Sequence, residues 1–415
     1  MSEIRIIELD CGAPLVVERM PGVKSAAISW LLPAGSVFEP VGKLGLGAMW
    51  EELLLRGAGD RDSRSFADAM DRLGVNRSVG GQTYYMQLGA SMIGEGLLEA
   101  MPLLVDMVRR PRMEEASIDA ARELALQAIE SLKDDPRQRA VLGARARHRP
   151  EPLNRSGMGL PETLLAITRD DLVGEWSRLA SPVGSIIGVA GAVDADEIAA
   201  TLNTLLEGWE GANEIPSFEA VGERGYAHET DNSNQVQIIV CHDGPSDRDE
   251  KSLAERVVLS VLSGGMSGRL FSEVREKRGL CYAVSAAYAP GRDFGGVSAY
   301  VGTTPERAQE ALDVLHEQLV AINGPGGVKI DESEFERALV GLRSRIVFSG
   351  ESTRARAASI ANDMHSLGRP RPLRELSEAL DALTLERVNR YLDTREAGLI
   401  TIQTLGPEAL KPPTA

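Results

Sequence analysis

The chain has 415 residues, a formal net charge of −16, 43% hydrophobic and 26% charged residues. This is ordinary globular composition, with length for two domains. The acidic balance argues against nucleic acid as a ligand, since phosphate binding needs clustered Lys and Arg, and is compatible with attraction of basic peptides. The three cysteines, Cys11, Cys241 and Cys281, lie far apart without a CxxC pair, which speaks against a disulfide framework and a zinc or redox motif. The N-terminal MSEIRIIELD lacks the basic-then-apolar pattern of a signal peptide, and no apolar run is long enough to cross a bilayer. A soluble, reducing compartment, the cytoplasm, is expected; a periplasmic home would require a leader.

In chain order, IRIIELD, PLVVERM and AAISWLLPA read as strands. GLGAMWEELLLRG reads as a helix with Leu46, Met49, Trp50, Leu53 and Leu54 on one face. SRSFADAMDRLG is a second helix, with Ser63 or Ser65 as N-cap and Gly74 as its stop. The strand TYYMQLGASM and the helices GEGLLEAMPLLVDMVRR and MEEASIDAARELALQAIESLK follow. Then come a helical region through PETLLAITRDDLVGEWSRLA, the strand GSIIGVAGAV and the helix DADEIAATLNTLLEGW.

The second half repeats that order. QVQIIVCHD is a strand; EKSLAERVVLSVLS and SGRLFSEVREKRG are helices; CYAVSAAYAP and GGVSAYVGTT are paired strands. Long helices at PERAQEALDVLHEQLVAI and DESEFERALVGLRSRIVF, further helices from Ser352 to Leu392 and a strand at GLITIQTLGP complete it. The matching order predicts a duplicated α+β domain. We place the first domain at 1–214, a polar linker able to hinge at 215–230, and the second domain at 231–415.

Residues 45–58, GLGAMWEELLLRGA, resemble the zinc-binding segment of the pitrilysin and mitochondrial processing peptidase family, inverted zincins whose segment reads like GLAHxxEHxLxxGT. In that family two His and a later Glu hold zinc, and an intervening Glu activates the bound water. Here the His positions are Ala48 and Glu52, and only Glu51, at the general-base position, matches. The third ligand position falls in IDAARELALQAIES at Ala128, with Ala121 at the preceding family Glu. The resemblance therefore implies a chain that holds no metal. Glu51 reads as a solvated helix residue. The five histidines, His148, His228, His242, His316 and His365, offer no close metal-ligand pair. No GxSxG elbow is present, and GGMSG lacks the Lys-Ser/Thr of a phosphate loop. Cys241 and His242, adjacent on a strand, point to opposite faces and form no dyad.

LSGGMSGRLFSEVREKRGLCYAVSA resembles the family's second block, in which an Arg and a Tyr hold the substrate backbone and donate toward the oxyanion. The matching residues are Arg275 and Tyr282. Gly279 would end the helix bearing Arg275, and Tyr282 begins the next strand, so one rim could hold both. Gly264 and Gly265 would permit a tight turn. Taken without the resemblance, Arg275 also fits complementing the helix dipole, and Tyr282 packing in a sheet. The resemblance covers nearly the whole chain. It implies two homologous α/β-roll domains, antiparallel sheets covered by helices, forming half of a clamshell. It further implies a heterodimer with a homologous HxxEH subunit that carries the zinc, and peptide as substrate; no membrane or nucleic-acid partner is expected from the charge and hydropathy above. A peptide-binding or scaffold subunit of a larger assembly is the alternative.

Overall fold

The computed structural model describes residues 3–216, 218 and 222–413. The first half contains β1 (Glu3–Glu8), β2 (Pro14–Arg19), β3 (Ser25–Leu32), α1 (Leu46–Leu53), α2 (Ser63–Arg72), β4 (Asn76–Gly81) and β5 (Met86–Ile93). It continues with α3 (Leu97–Arg109), α4 (Glu115–Ser131), α5 (Pro136–His148), α6 (Pro161–Ala166), α7 (Arg169–Leu179), β6 (Ile186–Gly191) and α8 (Ala195–Leu205). The second half contains β7 (Gly225–Thr230), β8 (Val236–Gly244), α9 (Ser252–Ser263), β9 (Ala283–Pro290), β10 (Gly295–Thr303), α10 (Ala308–Val320) and α11 (Glu332–Glu351). It ends with α12 (Thr353–Leu367), α13 (Leu373–Asp381), α14 (Leu385–Thr394) and β11 (Thr401–Gly406).

Several local expectations need correction. The cap of α2 is Asp62, immediately before Ser63, and its carboxylate accepts from Ser65 N at 2.8 Å. The PETLLA–SRLA region is two helices, because Thr168 and Asp171 form a reciprocal capping box that starts α7 afresh. Gly225–Thr230, in the tract read as linker, is the edge strand β7, paired in parallel with β11. Its polar sequence GYAHET suits an edge and hid it. Residues 217 and 219–221 of the same tract lie outside the described residues.

The duplication is visible in the sheets. The first runs β1-β2-β6-β3-β5-β4 and the second β7-β11-β8-β10-β9. Removing the edge strand β1 leaves two five-stranded sheets of one topology. Each has a single parallel pair, β2 with β6 and β7 with β11, and is otherwise antiparallel. The sheets are thus mixed rather than wholly antiparallel. Alternate residues of β5 are buried, as period-2 patterning requires. All four tryptophans pack in the first unit's core, where the indole N–H groups of Trp50, Trp176 and Trp209 donate to the carbonyls of Leu172, Val108 and Ala180.

By compactness the chain forms two units that exchange a segment each. One unit is 1–131, 155–219 and 349–372; the other is 132–154, 220–348 and 373–415. Helix α12, from the second half, covers β2, β3 and β6; helix α5, from the first, covers β8 and β11. Each exchanged helix meets its sheet through two fully buried alanines four residues apart, Ala140 and Ala144 in α5, Ala357 and Ala361 in α12. Small residues allow close approach. At Gly188 of β6 an added Cβ would lie 2.5 Å from the Ala357 carbonyl oxygen and 2.9 Å from the Ala361 methyl. Gly188→Ala is therefore expected to destabilise the first unit by about 1–3 kcal/mol. Faster amide exchange in α12 and β6 checks this.

Buried charge also locks α12. Arg356 Nε donates to Glu18 of β2 at 2.7 Å, with both side chains essentially inaccessible. Helix α5 is held by Arg139, which pairs with Glu229 and, at 2.7 Å, with Asp231, and by His148 Nδ1, 3.0 Å from the Thr401 hydroxyl.

Candidate functional site

Helix α1 begins at Gly45, in the left-handed region at φ 104°. The Glu39 carboxylate closes its N-terminus, accepting from Gly45 N at 2.9 Å and Gly47 N at 2.7 Å. The predicted face, Leu46, Met49, Trp50, Leu53 and Leu54, is fully buried. The helix packs along α4. Glu39 lies too far before the helix to match a capping-box spacing, so no local sequence signal marked it. Burial pushes its carboxyl up to about 7, opposed by the two N–H donors and Arg155.

The sign follows directly. Glu39 is protonated more readily folded than unfolded, so its contribution is complete below pH ~4.5 and is lost as pH rises to ~7, about 3 kcal/mol in all. Denaturant titrations at pH 5.0 and 7.5 should show a larger loss for the natural chain than for Glu39→Gln. Equal losses would mean that Glu39 stays ionised in the fold.

The positions matching the family's zinc ligands carry other roles here. Ala48 is partly buried against the core. Ala121 is buried and Ala128 exposed on α4. Glu52 pairs with Arg56 one helical turn on, at 2.6 Å from Nε. Glu51 is half-buried rather than solvated: its carboxylate accepts from Gly81 N of β4 at 2.6 Å, and burial raises its pKa. It ties α1 to the end of an edge strand. Two methyl groups offer no lone pair, and the carboxylate of Glu52 is engaged by a cation, so this set does not fit zinc. Among the described residues no three His, Cys, Asp or Glu side chains are grouped to hold a metal ion. Cys241 packs beneath α5, while His242 turns to the buried Arg395, 3.3 Å from its Nε2.

The second block is built differently. A glycine turn follows α9: Gly265 takes φ 149°, and a Cβ on Gly264 would lie 2.2 Å from the Ser260 carbonyl oxygen. Arg269 anchors the turn's far end through a bidentate pair with Glu334, 2.7 Å on both arms. The predicted helix is present, but Phe271–Glu276 is a π-helical turn, with Lys277 N donating to Ser272 O at 3.0 Å. Such turns widen the helix and concentrate at functional sites. Val274 is buried beneath it, and Gly279, at φ 61°, ends it.

Glu273 engages both Lys277 and Arg278 at 2.6 Å. Arg275 is exposed, with its guanidinium 4.8 Å from the Phe271 ring centre and 5.3 Å from that of Tyr282. Tyr282 is 83% exposed. Among the described residues neither Arg275 nor the Tyr282 hydroxyl has a hydrogen bond or ion pair. The adjacent Cys281 is half-buried, which raises its thiol pKa, while Arg275 opposes the rise. A stacked guanidinium keeps its in-plane donors free, so the pair can offer several N–H groups and one O–H to a peptide.

The insulinase (peptidase family M16) profile matches residues 15–157, and the peptidase M16 inactive-domain profile matches 166–342. The chain is 27% identical to an uncharacterized zinc protease of Mycobacterium leprae, covering 96% of this chain and 91% of that protein. It is 26% identical to one of Bacillus subtilis, covering 95% and 97%. A peptidase M16 inactive domain from Pseudomonas fluorescens superposes with a TM-score of 0.85 at 19% identity, covering both chains completely. A chain of complex III2 from Candida albicans superposes at 0.80 and 15% identity, covering 98% and 96%. No helix among the described residues is long and apolar enough to cross a membrane. With both halves matched in order and the topology duplicated, the chain belongs to peptidase family M16.

Proposed function

We propose that this chain is the zinc-free subunit of a two-subunit M16 endopeptidase, acting on peptides with a homologous partner that carries an intact HxxEH site and its zinc. One contrast supports the reading. The metal-ligand positions Ala48, Glu52 and Ala128 cannot hold zinc, while Arg275 and Tyr282 stand exposed without a polar partner among the described residues. Unpaired donors are of little use to the fold and available to a ligand. In the assembled enzyme Arg275 grips a substrate carbonyl through its donor fork, and the Tyr282 hydroxyl donates to the oxygen on which charge develops.

The test is to purify the chain alone and together with an HxxEH protein encoded beside it. Cleavage of unstructured peptides should require both. Zinc-dependent cleavage by the lone chain, or no complex with the neighbour, would remove the proposal. The likeness to a complex III2 chain favours a second reading, a scaffold subunit, which an absent neighbouring HxxEH gene would support.

A further inference from the structure

We propose that Arg137 and Tyr300 form a carboxylate-binding subsite, by which the chain selects peptides bearing an acidic side chain or a free C-terminus near the segment held by Arg275 and Tyr282. The inference rests on the peptide-binding reading above and gives it a substrate class.

Arg137 lies in the first turn of α5, where the helix dipole disfavours a cation. Its side chain is exposed, and among the described residues it has no hydrogen bond or ion pair. The guanidinium lies 4.3 Å from the Tyr300 ring centre. Other arginines of the same helix are consumed internally: Arg139 by Glu229 and Asp231, Arg147 by the carbonyls of Arg224, Gly225 and Ile402. The nearby Asp135 is engaged in capping α5, accepting from Gln138 N at 2.9 Å.

Tyr300 is held in place, its hydroxyl donating to Gln237 Oε1 at 2.8 Å. A guanidinium stacked on a ring keeps its in-plane N–H groups available, and such a fork takes a carboxylate bidentately. On β9 the cross-strand neighbours of this face are short. Ser285 lies opposite Tyr300 and Ala287 opposite Ser298, both exposed. Ser285 is three residues beyond Tyr282, about 10 Å along the backbone. Cys281, beside Tyr282, couples electrostatically to both Arg275 and Tyr300, which agrees with this proximity.

The test uses the full chain and fluorescent peptides identical except for Asp, Asn or Lys at one scanned position, each as C-terminal acid and amide. The natural chain should bind the best Asp peptide about tenfold more tightly than its Asn counterpart. Arg137→Ala should abolish the difference, Arg137→Lys restore part of it, and both should unfold at the natural temperature. Preference for the free acid over the amide would identify a C-terminal carboxylate as the ligand; preference for Asp in both forms, a side chain. No preference, a preference that survives Arg137→Ala, or no peptide binding overturns the subsite. Cleavage by the two-subunit complex with an unchanged Asp-to-Asn ratio in Arg137→Ala sinks the subsite alone. An Arg137-dependent preference without cleavage by any partner sinks the peptidase reading alone.

Discussion

Tyr282→Phe in the assembled two-subunit enzyme is expected to lower kcat by about 10²–10³-fold, the usual effect of deleting one oxyanion donor. Subunit association, the partner's zinc content and thermal stability should not change. The structure makes the separation clean. Tyr282 is mostly exposed and its hydroxyl has no partner among the described residues, so loss of one oxygen removes nothing from the fold. The ring remains to stack with Arg275. KM should move little, because the hydroxyl acts on charge present only in the transition state. Stopped assays with zinc quantification on the same preparation decide it. An unaltered kcat would make Tyr282 a surface residue.

A second large effect is expected far from that pair. Arg356→Met should destabilise the first unit by about 3–5 kcal/mol, because it leaves the inaccessible Glu18 without its cation. Among the described residues Glu18 Oε1 already has no hydrogen-bond partner, so the lost cation leaves the carboxylate further unsatisfied. The double variant Glu18→Leu/Arg356→Met should recover most of the loss, since a buried pair replaced by apolar groups is often neutral. Hydrogen exchange resolved to β2, β6 and α12 reads the effect on the unit concerned, which a single melting temperature would average with the other. Equal destabilisation in single and double variants would mean that the arginine stem matters, not its charge.

Much of this architecture was legible in the residues. Leu46, Met49, Trp50, Leu53 and Leu54 fall on one helical face, and all five are buried. The repeated order of elements predicted a duplication that the two sheet orders reproduce. What escaped has specific causes. Strand β4, NRSVGG, has no apolar alternation, and β7 is polar because each is a sheet edge. The exchanged helices bury alanine pairs, which leave no amphipathic stripe to name the sheet they cover. Glu51 looked solvated because its partner, Gly81, lies on another element.

The sequence by itself determined which residue types stand at the positions resembling the family's zinc ligands. Methyl groups at Ala48 and Ala128 lack donor electrons in any fold. It also marked Arg275 and Tyr282 by their motif. Only the tertiary structure decided that they stand together and free. Glu273 draws off Lys277 and Arg278, the π-helical turn holds Arg275, and Tyr282 is exposed just before β9. The same holds for Arg137 over Tyr300, joined only because α5 crosses to the second sheet. Chemical incapacity is a property of a side chain, whereas availability is a property of its neighbours.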